Sequence, residues 1–501
     1  MTIRIPDRKT RMHSDLGRCV LARTIDSGSG CIRQMKSSHA VGRIDVAFDD
    51  PNLVADAGLV QVVGLAEAVG LPGLVTDRLK IKGAGNAGGA NPGAKVMTLV
   101  AGMAAGADSI SDMDRLRLGA MDVLFEGVRA PSTSGTFLRS FTHGHVRQLE
   151  SVHRQVLAGL AAVTPLLPGA DELAFLDLDS THRQVYGYKK QGAAVGRLKG
   201  KKTLHPLAAV LSTPLCAPVV TGCRMRPGKS ADVRGAAPFL VEQLITARAL
   251  GVTGTIVVRG DSKFYSADVV AAALRHEAEV SLTVPTSPAR DAAITGIDDA
   301  AWTPIHYPDA FVDEDTGELV SDAKVAETGY VAFTSRPKRD QVYGRLIVRR
   351  VKRLNRPGEE AQGTLFDTYR YHAVFATGKY ELLQAESHHR GHAIVEQVFA
   401  DAGASALAHL PSGSFNANAA WALLWVIAHN LTRAAGVLAG GTHARATTAT
   451  LRTHLINIPG RVASSARRLT VHLPERWPWQ IALTNLHAAV TAIARPPTVT
   501  A

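Results

Sequence analysis

Cysteine is scarce: four residues in 501, Cys19, Cys31, Cys216 and Cys223, none in the CxxC spacing of a zinc or redox site. That argues against a disulfide-stapled scaffold and leaves them as small core residues or free thiols. Long apolar runs are missing too. The longest, Ala419 to Ala428, is closed off by Asn418 on one side and by His429 and Asn430 on the other, about half of the roughly 20 residues a membrane span needs. The opening MTIRIPDRKTRMHSDLGRCVLARTID never gathers the apolar stretch of a secretory signal, so the chain is expected in the cytoplasm, with no membrane partner. No GxxxxGK[ST] loop, no GxGxxG after a strand, no HExxH and no GxSxG occurs, which removes the common nucleotide-binding, zinc-protease and serine-hydrolase signatures. Acidic residues are outnumbered, 44 against 56 Lys and Arg, for a net charge of +12. A polyanionic partner is the natural complement to that charge.

Hydrophobic types make up 46% and charged types 20% of the chain, a globular rather than a disordered balance. At 501 residues, about three domains are expected. Residues 1–40 are basic and without period, a mobile arm in which Met35 offers a second start. Over 41–165, helix-like segments (Leu59 to Val69, Ala94 to Ala105, Ile110 to Phe125, Ser134 to Val163) alternate with Gly/Pro/Asn turns and predict an all-α N-terminal domain. From 166 to 285 the pattern is α/β: strands in LAFLDLD, TLHPLAAVLST and APVVTGC, then helix, strand Thr255 to Arg259, helix, strand Val280 to Val284. Residues 286–376 read as a β-rich insertion, 377–440 as a helical return, and 441–501 as a C-terminal helical region.

Asp177 and Asp179, two apart on a strand with apolar neighbours, share one face. A buried strand does not carry two carboxylates without cations or donors nearby. Asp261 closes a second apolar strand in TIVVRGDSKFYS, and Glu396 sits in the amphipathic HHRGHAIVEQVFAD. Converging at one end of a sheet, such acids suit a pair of magnesium ions that drive in-line displacement at phosphorus. The plainer reading also stands: Asp177 ends a strand, Asp261 caps a turn, and Glu396 is solvated or paired with Arg390. Lys189, Lys190, Arg197, Lys199, Lys201 and Lys202 follow the first acidic strand, and a second basic cluster in the β-rich segment includes Arg349, Arg350 and Arg353. Either could grip a phosphate backbone or be a solvated face.

LDLDST at 176–181, VYGYKKQGA at 185–193, VVRGDSKFYS at 257–266 and HRGHAIVEQVFAD at 389–401 resemble the DDE transposases of bacterial insertion sequences, in particular the group numbered thirteen-eighty. The similarity runs from about Met35 to the last helices and includes 119–150 and LAHLPSGSFNANAAW at 407–421. The resemblance implies a multidomain α plus α/β chain whose ribonuclease-H-like core is interrupted by the β-rich segment. It also implies a triad of Asp179, Asp261 and Glu396 holding two Mg2+ ions, for which Mn2+ can substitute. Asp179 is preferred because it directly precedes Ser180 and Thr181, with Asp177 the fallback. Implied partners are double-stranded DNA, as inverted-repeat ends and as target, and a second copy of the chain on that DNA, at the bacterial nucleoid. Arg259, Lys263 and Arg390 join the DNA-contacting residues. Relatives carry Tyr-x2-Arg-x3-Glu-x6-Lys around the glutamate; here the places are His389, His392, Glu396 and Gly403, so part of a phosphate grip is expected to be lost. A DNA-binding relic and a host metal-dependent nuclease are the alternatives.

Overall fold

The computed structural model describes residues 35, 37–81, 89–196, 198, 200–305, 323–352, 369–466 and 468–494. Most of the basic arm therefore lies outside the described residues, as do Cys19 and Cys31 and the basic candidates Arg197, Lys199 and Arg353. The chain divides at Asp49/Asp50. The described part of the first unit carries one 3-10 turn, Val41–Arg43, with exposed side chains; everything below concerns the second.

The apolar runs of the middle of the chain build one nine-stranded sheet. In chain order its strands are β1 (Leu173–Ser180), β2 (Leu207–Ser212), β3 (Val219–Arg224), β4 (Thr255–Gly260), β5 (Ala278–Thr283), β6 (Thr303–Ile305), β7 (Ala323–Ala332), β8 (Val342–Lys352) and β9 (Tyr369–Ala376). Across the sheet they run β6-β7-β8-β9-β5-β4-β1-β2-β3. β1 pairs parallel with β4 and β4 with β5, each return covered by helix, while β2 and β3 add as antiparallel neighbours. Parallel pairs need such crossovers and are buried on both faces, which is why LAFLDLDS reads as a nearly continuous apolar run.

The TLHPLAAVLST segment splits: Lys202–Leu204 joins a small sheet with Arg183–Gln184 and Ala194–Val195, and only Leu207–Ser212 enters the large one. Pro206 stands at the break, where a ladder N–H is unavailable. The β-rich segment is not a separate body. β9 pairs antiparallel with β5, Val374 opposite Thr283, so the segment prolongs the edge of the same sheet.

Two helical layers cover the sheet. Leu178, Ala209 and Gly222 lie in one cross-strand row, and a Cβ on Gly222 would approach Gln243 Oε1 to 2.6 Å. Helix Ala236–Ala249 therefore covers the face bearing Leu176 and Leu178. The opposite face, bearing Asp177 and Asp179, is covered by helices Leu382–Arg390 and Ile394–Gly403: Arg259, in register with Asp177, donates from Nη1 to His388 O at 2.5 Å.

Helix Phe415–Ala439 is long and apolar enough to cross a membrane, but 89% of its apolar window is buried inside the protein, so it is the core helix around which the N-terminal helices pack. Its polar residues have internal tasks: Asn430 Nδ2 donates to Val220 O (2.8 Å) and its Oδ1 accepts from Val220 N (2.9 Å), satisfying an edge of the sheet. Strand Leu53–Val54 pairs with Gly460–Ser465, which stitches the N-terminal helical region to the C-terminal one. From Asp50 onward the chain forms one compact unit. Cys216 and Cys223 are buried free thiols, and burial pushes the Cys223 thiol up to about 12.

Two of the anticipated helices are broken. The Ile110 to Phe125 segment is a 3-10 stretch, Ser111–Arg117, and a short helix, Met121–Leu124, hinged at Gly119 with φ +55°. Ser134 to Val163 divides into Pro131–Arg139 and His143–Val163, the second started by a Thr142/His145 capping box. A Cβ at Gly119 would come within 2.1 Å of Leu53 O. Gly119→Ala is expected to cost about 2 kcal/mol from the left-handed backbone and this clash together, read as a lower urea midpoint at unchanged slope.

Candidate active site

The parallel register of β1 and β4 sets Leu178 beside Gly260, so the next residues, Asp179 and Asp261, lie at the same end of neighbouring strands. Asp261 leaves β4 as the cap of the 3-10 turn Ser262–Phe264, its Oδ1 accepting from Lys263 N at 2.9 Å and its Oδ2 standing 3.2 Å from Lys263 Nζ. Asp179 is half-buried and accepts from Ser180 N at 2.6 Å. Burial, and then the neighbouring negative charge of Asp261, push its carboxyl up to about 6. Two carboxylates at the ends of adjacent parallel strands could hold a cation between them.

Asp177, on the same strand face, has a different role. It is fully buried and locked bidentately by Arg259, Nε to Oδ1 and Nη2 to Oδ2 both at 2.7 Å, with His392 Nδ1 2.8 Å from Oδ1. Although burial opposes it, the Arg259 guanidinium holds its carboxyl below the usual carboxylate range. The Arg259 guanidinium also lies 4.0 Å over the Phe175 ring. Of the sequence candidates, the fallback acid Asp177 is held in an internal ion pair, and Arg259, only 2% exposed, is its buried partner.

Glu396 is exposed in the first turn of helix Ile394–Gly403, which packs against β1. It lines a cavity of about 280 Å³ with Arg349, His372, His389, Arg390 and His392. Arg390 sits 3.7 Å from Glu386, and Arg349 lies 3.2 Å from the same Glu386. Among the described residues, no group of three His, Cys, Asp or Glu side chains is close enough to hold one metal ion. The geometry thus brings Asp179 and Asp261 together and places Glu396 at the neighbouring cavity.

The positions that depart from the relatives' pattern are filled by other contacts. His389 lies within 3.0 Å of both Ser281 Oγ and Thr283 Oγ1 on β5, and burial pushes its ring down to about 3. At Gly403 a Cβ would meet Arg183 Nη1 at 2.7 Å, and Arg183 Nη2 donates to Phe399 O at 2.6 Å. A guanidinium from outside the motif therefore docks at the end of the glutamate helix, where residue 403 itself offers no charge.

The other basic candidates divide by exposure. Lys189, Lys201, Lys202 and Lys263 are exposed. Lys190 is not a free surface cation: its Nζ donates to Leu410 O at 3.0 Å and Ser412 O at 2.9 Å. Arg350 lies between the rings of Trp302 (4.2 Å) and Tyr369 (4.8 Å) and near Asp299, largely a packing residue.

A support for the residue after Asp179 escaped the sequence reading. Ser180 Oγ donates to Asp232 Oδ1 at 2.5 Å, His205 Nε2 stands 3.1 Å from the same oxygen, and the His205 ring stacks on His182 at 4.0 Å. Burial pushes His205 down to about 4. Its one signal was that Asp232 is the first acid after Asp179.

A mixed α/β body with two carboxylates at the ends of adjacent parallel strands is the class of protein this geometry defines. The family described as Transposase DDE domain group 1 matches residues 36–495, and the chain belongs to it. No curated protein matches the chain. Among solved structures, a piggyBac transposase synaptic complex with hairpin DNA is similar over 90% of this chain and 83% of its own, with a TM-score of 0.40 and 9% identity.

Proposed function

We propose that the protein is a transposase of the thirteen-eighty group that binds the inverted-repeat ends of its element, cuts them free and joins them to target DNA. The observation that carries this reading is the placing of Asp179 and Asp261 at the same end of adjacent parallel strands, where the burial of Asp179 and the charge of Asp261 raise Asp179 to about 6. A pair of hard carboxylate donors at adjacent strand ends fits a divalent cation. Asp179 and Asp261 would hold Mg2+, or Mn2+ in its place, and Glu396 would join them on the DNA-bound protein. Such ions supply an activated water or hydroxyl and stabilise the leaving oxygen at phosphorus.

The chain's own residues do the rest. Lys189, Lys201, Lys202 and Lys263 offer exposed charge to the backbone. Arg349 and Arg390, held beside Glu386, line the cavity next to Glu396. The strand order β3-β2-β1-β4-β5 with helices on both faces supports a ribonuclease-H-like core. Holding two ends at once calls for two copies on DNA, at the bacterial nucleoid.

The test is incubation of end-containing DNA with the protein and Mg2+, reading both nicked and joined products. Binding without any cut leaves the DNA-binding relic; cutting without joining leaves the host nuclease.

A pH dependence follows from Asp179. Its folded pKa of about 6 lies above the ordinary aspartate value, so the folded metal-free protein holds the proton more tightly. Its contribution to stability is therefore largest below about pH 4 and falls as pH rises through about 6. Asp179 holding Mg2+ would have to give up that proton. The rise in Tm on adding Mg2+ is expected to be larger at about pH 7.5 than at about pH 5, and equal shifts at the two values would remove Asp179 from the metal site.

A further inference from the structure

Between Ser180 and Ala231 the chain has no Asp or Glu, while ten Lys and Arg fall within those 52 residues. The stretch opens with the small sheet of Arg183–Gln184, Lys202–Leu204 and Ala194–Val195. On the loop that follows its first strand, Tyr188 is 97% exposed and Tyr186 65% exposed. Val185 N donates to Lys202 O at 2.9 Å, which carries this loop alongside Lys201 and Lys202. Lys202 Nζ stands 5.9 Å from the Tyr188 ring centroid, and Lys189 and Lys201 are exposed beside it.

A tyrosine ring left almost wholly in water forgoes the burial that such a side chain usually finds. Rings beside cations, in a stretch of chain without Asp or Glu, match the chemistry of a nucleobase with its phosphates: the ring stacks the base and the ammonium groups take the backbone. A paired duplex keeps its base faces stacked on one another, so the ring's partner is a base that is unpaired or at an end. The sheet is tied to the reaction centre, because Arg183 bonds Phe399 O on the glutamate helix. Tyr188 is five residues beyond Arg183, at most about 18 Å of extended chain.

We infer that Tyr188, with Tyr186 beside it, is a stacking platform for an unpaired base at the DNA end being processed, with Lys189, Lys201 and Lys202 holding the adjoining phosphates. This rests on the DNA reaction proposed above and adds the form of the substrate, an end with at least one unstacked base.

The full chain is titrated into two probes: a short mixed-sequence duplex, and the same duplex with three unpaired 3′ bases, one of them 2-aminopurine. Wild type is expected to bind the extended probe more tightly and to change its 2-aminopurine fluorescence. Tyr188→Ala should weaken binding to the extended probe about tenfold, remove the fluorescence change, and leave duplex affinity within about twofold; Tyr188→Phe, which keeps the ring, should behave as wild type. The platform is overturned if Tyr188→Ala affects both probes alike or neither, or if Tyr188→Phe loses as much as Tyr188→Ala. Wild type that binds neither probe would overturn the DNA reaction itself, whereas duplex binding with no preference for the extension overturns the platform alone.

Discussion

Asp261→Asn is expected to abolish DNA cleavage, by about a thousandfold or more, while the protein still folds and still binds DNA. The magnitude is that of losing a principal electrostatic stabiliser of the transition state. The fold should survive because Asp261 is partly exposed and its closest cation is the exposed Lys263. Its capping bond from Lys263 N can be kept by an asparagine oxygen. The substitution also removes the charge that helps raise Asp179, so the Asp179 carboxyl should move toward its ordinary range. Nicking assays with Mg2+, run beside gel-shift and circular dichroism measurements, check the three parts together. A variant that cuts at the wild-type rate would remove Asp261 from the site; one that neither binds nor folds would give it a structural role.

Arg259→Met should produce the largest loss of stability of any single change here, about 3–5 kcal/mol, because it leaves Asp177 as an uncompensated charge in the interior. Asp177 is fully buried, and its remaining neighbour, His392, is a weaker source of positive charge than a guanidinium. The variant is expected to respond by raising the Asp177 pKa, so that its stability deficit narrows as pH falls. Asp177→Asn combined with Arg259→Met should recover part of the loss, since the double variant buries no unpaired charge. Urea unfolding of the single and double variants measures the coupling. Purely additive losses would show that the pair does not act as a unit. The two aspartates of β1 thus have different surroundings: Asp177 is held by Arg259, and Asp179 faces the carboxylate of Asp261.

Local pattern was readable wherever one residue's chemistry decided it. The β1, β4 and β5 strands were legible from dense apolar runs, because parallel strands are covered on both faces. The core helix Phe415–Ala439 was legible as an apolar segment closed by polar residues. Breaks were harder. Gly119 looked like an ordinary glycine within an amphipathic stretch, and what makes it a hinge is the Leu53 carbonyl, 66 positions away in the chain. The β-rich segment read as an insertion, but strand pattern does not say which strand will be its neighbour; β9 pairs with β5.

For the site, sequence alone determined the residue types and their order: two acids on one strand face, a third closing another strand, and a glutamate on an amphipathic helix, each beside residues of a family pattern. Only the tertiary structure decided which groups surround each acid. Asp177 and Asp179 have the same local chemistry, and their difference comes from what lies across the sheet, Arg259 for the first and Asp261 for the second. The same holds for the cations. Arg259 and Lys190 looked available for DNA and are held by internal partners, while Arg183, outside the glutamate motif, reaches that helix. A side chain's charge state and freedom depend on the groups within a few ångströms, and in a mixed sheet those groups come from strands and helices up to about two hundred residues apart in the chain.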